Sequence, residues 1–177
     1  MRNRTVRSLV VRFPVLFTAA FLVLGIFSAR ARGAAADPCG RPGAFVAVDT
    51  HSRRLSLCAD GAAAETFRVA LGAGGIGKRR TGDNRTPLGA YPLGSPRHSQ
   101  LFGTFIPVGY PTATQARAGF SGGAVGIHGP ARAFVFAGSF NTATDWTAGC
   151  IAVGSDPEIG RIAAWVRTHP RVEVRID

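Results

Sequence analysis

The chain has 177 residues, 46% of them hydrophobic and 18% charged, and a formal net charge of +11. That length and apolar content fit one globular domain able to fill a core. Six arginines and no acids lie within residues 1–36, so the remainder carries eleven less six, +5, a moderate charge that is weak evidence for a nucleic-acid partner, suits work near anionic cell-envelope polymers or membrane surfaces, and is equally an ordinary solubility device.

Arg2, Arg4, Arg7 and Arg12 precede a charge-free run of 17 residues from Phe13 to Ala29, interrupted by Pro14. A basic stretch, an apolar stretch and then small residues form the pattern of an export signal, with cleavage after Ala31 or Ala36. An uncleaved anchor is the rival reading, but the run is shorter than the roughly 20 residues of a spanning helix. The expected organisation is a signal peptide at 1–36, a short segment at 37–43 and one folded domain at 44–177. The expected location is the periplasm or cell envelope, with membrane contact only through an uncleaved signal.

An exported chain with three cysteines poses a pairing question. Cys39 and Cys58 are 19 positions apart, and a bridge between them would pin the start of the domain to its second strand. That pairing leaves Cys150 as the odd thiol. In the rival reading Cys58 is a small buried hydrophobe and Cys39 is exposed.

From Phe45 the sequence reads as strands: Phe45 to Asp49, Arg54 to Ala59, and Thr66 to Leu71, with Asp60-Gly61 as a hairpin turn tolerant of positive φ. The segment from Gly72 to Gly89 is rich in Gly and Pro and lacks helical period. Its Gly72-x-x-x-x-Gly77-Lys78 nearly spells a phosphate-binding loop, but Arg79 stands where a Ser or Thr would ligate magnesium and no helix can follow. No nucleotide partner is expected. Short extended pieces follow at Gly89 to Leu93, Leu101 to Val108, Gly123 to His128 and Ala133 to Ala137. Ser155-Asp156-Pro157-Glu158 combines an N-cap, an early proline and a capping-box glutamate, and Ile159, Ile162, Ala163 and Val166 recur at helical spacing. Val172, Val174 and Ile176 alternate as a closing strand. Many strands and one late helix predict a mainly β domain, a curved β-sandwich with a C-terminal helix.

The chemistry centres on Cys150. A neutral thiol attacks carbonyls poorly, so it requires a base and backbone donors for the developing oxyanion. Gly149 permits unusual backbone angles, which makes the amides of Ala148, Gly149 and Cys150 candidate donors. Among His51, His98, His128 and His169, only His128 ends an apolar strand and is followed by Gly129-Pro130; it lies 22 positions before Cys150. A purely structural strand-end histidine is the competing reading. Asp145 is a candidate for orienting the base or a solvated turn residue, and Trp146 either walls the pocket or fills the core.

Ile127-His128-Gly129 followed by Thr147-Ala148-Gly149-Cys150-Ile151 resembles the His-Gly…Ser/Thr-His-Gly-Cys-Ile-Arg signature of L,D-transpeptidases with the YkuD-type catalytic domain. The opening strands and the Gly82-Asp83-Asn84-Arg85-Thr86-Pro87-Leu88-Gly89-Ala90-Tyr91 segment look like that family too, so the likeness runs over roughly residues 44–176. Two positions depart from the signature: Ala148 stands for its histidine and Ala152 for its arginine. The resemblance implies a catalytic domain with Cys150 as nucleophile and His128 as general base. It also implies Gly129, Thr147, Trp146 and Arg85 near the substrate, peptidoglycan stem peptides as partner, and no metal or organic cofactor. The implied reaction is a thioester route to 3→3 cross-links. A carboxypeptidase or amidase using the same Cys-His pair is the close alternative, and a non-catalytic wall-binding module is the alternative of another class. Arg79, Arg80, Arg85 and Arg132 are the candidates for the missing cation.

Overall fold

The computed structural model describes residues 37–177, so the expected signal peptide lies outside the described residues. Strands β1 (Phe45–Asp49), β2 (Arg54–Ala59) and β3 (Ala62–Ala70) form an antiparallel meander. Its second turn is set by Asp60 and Gly61, both at positive φ (52° and 81°), the pairing that matches strand twist in a two-residue hairpin. That turn lets β3 begin at Ala62, four residues before the expected start, with a register shift opposite Leu57 and Cys58.

Strands β4 (Gly89–Pro92), β5 (Arg97–Ser99), β6 (Gly103–Pro107), β7 (Gly126–His128), β8 (Ile151–Val153) and β9 (Glu173–Ile176) complete one nine-stranded curled sheet in the order β4-β9-β1-β2-β3-β8-β7-β6-β5. The domain is mainly β, as the sequence predicts. Strand β3 is the junction, pairing with β2 along most of its length and with β8 at Val69 and Ala70. The late helix α2 spans Asp156–Thr168, with Ile159, Ile162, Ala163 and Val166 buried in the same core as the sheet. Burial of aliphatic side chains such as Leu55, Leu57, Ile127 and Ile151 contributes about 1.5–3 kcal/mol each, and this anchors the strands that carry the site.

Three expectations are corrected. Ala133 to Ala137 is not extended: it lies in a 3-10 stretch, Arg132–Thr142, broken at Phe134 and Gly138, and held by the Asn141 amide donating to the carbonyls of Phe134, Gly138 and Gly154. A short helix α1, Ala113–Arg117, capped by Thr112 and Gln115, adds to the one late helix expected. The capping box of α2 does not form: the Ser155 side chain makes no cap hydrogen bond, and Glu158 Oε2 is buried without a partner.

Cys39 and Cys58 are bonded, with Cα atoms 5.1 Å apart, tying the Asp37–Gly43 segment to β2. Closing a loop of this length contributes about 3 kcal/mol. A Cys39→Ser/Cys58→Ser double variant is therefore expected to lose roughly that much in urea denaturation. An unshifted midpoint contradicts the bridge.

Candidate active site

The site is built on the parallel pair β7 and β8. Ile127 lies opposite Ile151 and His128 opposite Ala152. One residue earlier, Cys150 falls beside Gly126, and alternation along the strands puts Cys150 and His128 on one face of the sheet. Ala152, at the position of the signature arginine, is completely buried between His128 on one side and Ala70 on the other.

His128 is held from several directions. Its ring stacks on Phe102 with centroids 3.8 Å apart, and the Trp146 ring approaches edge-on at 5.8 Å. Nδ1 lies 2.6 Å from the Gly129 carbonyl oxygen, which can only accept, so Nδ1 carries the proton and Nε2 the lone pair. Nε2 makes no hydrogen bond among the described residues, and the side chain as a whole is buried. Burial lowers the His128 pKa from 6.5 to about 4, against the opposing pull of the Gly129 carbonyl. The imidazole is thus neutral at neutral pH, with its Nε2 lone pair available to take a proton.

Cys150 is a half-buried free thiol whose Sγ donates to the Ala124 carbonyl at 3.5 Å. Burial pushes its pKa up, while the Gly126 N–H and the Lys78 ammonium pull it down. No hydrogen bond joins Cys150 to His128 among the described residues. At rest the pair is a neutral thiol beside a neutral imidazole, and proton transfer accompanies attack rather than preceding it.

The turn before Cys150 is fixed by Thr147. Its hydroxyl donates to the Cys150 carbonyl at 2.7 Å and accepts from the Gly149 N–H at 3.1 Å, while its backbone bonds to Leu71 and Ala73. This corrects one expectation: the Gly149 amide is occupied by Thr147, which leaves the Ala148 and Cys150 amides as the oxyanion candidates. Gly149 has φ +119°, and a Cβ there would meet the Arg85 carbonyl oxygen at 2.5 Å. Arg85 accordingly touches the turn through its backbone, while its exposed side chain lies over Gly74. Asp145 does not orient the base; its carboxylate accepts from the Leu71 N–H and pairs with Arg53. Trp146 walls a hollow of about 230 Å³ with Ala131, Phe134, Phe140, Asn141 and Thr144, its indole N–H held by the Asn141 carbonyl. A larger hollow, about 680 Å³ under the Asp37–Arg41 segment, is lined by neither Cys150 nor His128 and by no cysteine, serine or histidine. Gly129, expected near substrate, is packed against Ile159 and Asp156 and supplies the carbonyl that orients His128.

The His128 shift has a consequence for stability. Because the folded pKa lies below the unfolded value of 6.5, this contribution is complete above pH 6.5 and is lost as pH falls toward 4. Roughly 3 kcal/mol of stability is expected to disappear across that window. Denaturation midpoints of wild type and His128→Gln compared from pH 7.5 to 4 check this; parallel curves contradict it. The acid limb of kcat/KM is expected near pH 4 rather than 6.5.

The YkuD family model, the L,D-transpeptidase catalytic domain, matches residues 43–174. No curated protein matches the sequence. Among solved structures, the helical cell shape determining protein Pgp2 from Campylobacter jejuni superposes with a TM-score of 0.62 at 23% identity, over 76% of this chain and 47% of that one. Bd1075 of Bdellovibrio bacteriovorus gives 0.56 at 18%, over 77% and 48%. An L,D-transpeptidase from Xylanimonas cellulosilytica gives 0.51 at 22%, over 82% and 65%. The chain thus spans about half the length of the first two, and these likenesses establish the shared fold. With the match covering most of its length, this chain belongs to the YkuD family of L,D-transpeptidase catalytic domains.

Proposed function

We propose that this chain is an exported cysteine L,D-transpeptidase of peptidoglycan tetrapeptide stems. The observation that carries the reading is the His128 ring, locked by Gly129 with its basic Nε2 free, on the same sheet face as the one unpaired thiol, Cys150. Cys150 Sγ attacks the carbonyl carbon of the third stem residue as His128 Nε2 takes the thiol proton. The tetrahedral oxyanion is received by the backbone N–H groups of Ala148 and Cys150. The carbon–nitrogen bond to the terminal D-alanine then breaks, its amine leaving with the proton from His128. An amine of a neighbouring stem attacks the thioester, gives a proton to His128 and expels the thiolate, leaving a 3→3 cross-link.

Hydrolysis of the same thioester is a second reading. It is favoured by Ala148, an exposed methyl where the family signature has histidine, which leaves less side chain to keep water from the acceptor side. Incubation with disaccharide tetrapeptide, followed by product mass spectrometry, separates the two. Dimers with 3→3 links support transpeptidation, tripeptide alone supports a carboxypeptidase, and unchanged substrate contradicts both.

A further inference from the structure

The Gly77-Lys78 step that imitates a phosphate loop has another use in the fold. Lys78 is a charged residue with its side chain only 3% exposed. Its Nζ donates to Asp83 Oδ1 at 2.8 Å and to the Arg80 carbonyl at 3.1 Å, which leaves the third ammonium N–H without an acceptor among the described residues. The stem runs between two glycines. Lys78 Cε lies 3.0 Å from where a Cβ on Gly122 would stand, and Cδ 3.7 Å from where one on Gly149 would stand. Gly149 is the residue before the nucleophile, and Gly122 opens the segment whose Ala124 carbonyl receives the thiol. The Lys78 carbonyl is itself pinned by the Tyr110 hydroxyl at 3.1 Å.

A buried ammonium is costly unless its charge is used or fully paired. Asp83 offers incomplete pairing, because its carboxylate also accepts the N–H groups of Arg79, Arg80 and Arg85. Burial raises the Asp83 pKa, but these donors and Lys78 outweigh it and hold the carboxyl well below its usual range. The charged and titratable groups on the elements packed around Cys150 are Lys78, Arg79, Arg80, Asp83 and Arg85 on the loop, His128 on β7, and Asp145 in the nucleophile turn. Asp145 is occupied by Arg53, and His128 is neutral. Lys78 is the cation among them whose field reaches the thiol.

Taking Cys150 as the nucleophile of the function proposed above, we propose that the Lys78 ammonium, held by Asp83 beneath the nucleophile turn, is a positioning residue that stabilises negative charge on Cys150. It supplies from the Gly72–Gly89 loop a positive charge that Ala152 on β8 does not carry. The candidates read from sequence for that cation, Arg79, Arg80, Arg85 and Arg132, are exposed, and Arg132 pairs with Asp156.

The pH dependence of iodoacetamide alkylation of Cys150 in the full chain tests this without any substrate, since the other two cysteines are bonded. Lys78→Met is expected to move the alkylation midpoint to higher pH by about one unit, slowing the reaction roughly tenfold at neutral pH. Lys78→Arg is expected to restore the wild-type midpoint. Asp83→Asn removes the counter-charge and is expected to move the midpoint the opposite way, to lower pH. A loop staple without electrostatic action would shift Lys78→Met and Asp83→Asn in the same direction or not at all, and either result overturns the proposal. Should Lys78→Met fail to fold, Asp83→Asn decides alone: a lower midpoint supports the proposal, and an unchanged or higher one overturns it. If the midpoints move as expected but wall peptides are not turned over, the proposed function fails and the role of Lys78 stands.

Discussion

Cys150→Ala is expected to abolish turnover of a tetrapeptide stem, with a loss on the order of 10⁶-fold, and His128→Ala is expected to lose about as much. Nucleophile and base act as one unit, so the double variant should be little worse than either single one. The structural reason is the division of labour on β7 and β8. Cys150 supplies the only free thiol among the described residues, and the Gly129 carbonyl holds His128 in the single tautomer that leaves the Nε2 lone pair available. Cys150→Ala should change the fold little, because Cys150 is half-buried and makes one weak hydrogen bond, whereas His128→Ala empties the place of a buried ring stacked on Phe102 and is expected to lower stability, so His128→Gln is measured beside it. Steady-state kinetics with circular dichroism as the folding control check this. Additive losses, or a Cys150→Ala protein that still turns over substrate, contradict the assignment.

Gly149→Ala is expected to be damaging for a different reason. At φ +119° an alanine is strained, and its methyl would stand 2.5 Å from the Arg85 carbonyl oxygen, well inside contact distance. The obstruction is backbone, so the turn or the Gly72–Gly89 loop must shift. Backbone strain of this kind costs about 1–3 kcal/mol, and a displacement near 1 Å at a reacting atom costs on the order of 10²-fold in rate. The expected result is a loss of at least that size in kcat, with a denaturation midpoint lowered by the strain. A Gly149→Ala protein with wild-type kcat would show that the turn is not the rigid platform described.

The legible parts of the fold were those set by neighbours in sequence. Asp60-Gly61 demanded positive φ and received it, and Pro157 with the Ile159, Ile162 and Val166 spacing marked helix α2. Cys150 and His128 drew notice as the leftover thiol and the one histidine that ends an apolar strand, and the strand register sets both on one face of the sheet. What escaped was fixed by distant partners. Ala133 to Ala137 has the apolar content of a strand, yet Phe134, Val135 and Phe136 are exposed and the chain there follows three hydrogen bonds from Asn141. The Gly149 amide was expected to serve an oxyanion, but the Thr147 hydroxyl two residues away takes it. Lys78 was passed over because its glycine neighbours suggested a failed nucleotide loop; its nearness to Gly149 arises only when residues 72–89 fold back over the nucleophile turn.

The most direct test of the central claim is intact-protein mass spectrometry of the chain mixed briefly with disaccharide tetrapeptide and quenched in acid. A thioester on Cys150 predicts added mass equal to the disaccharide tripeptide acyl group, localised to the Cys150 peptide, enriched at short times and missing from Cys150→Ala. Product formation with no adduct on Cys150, or an adduct that survives Cys150→Ala, would contradict it.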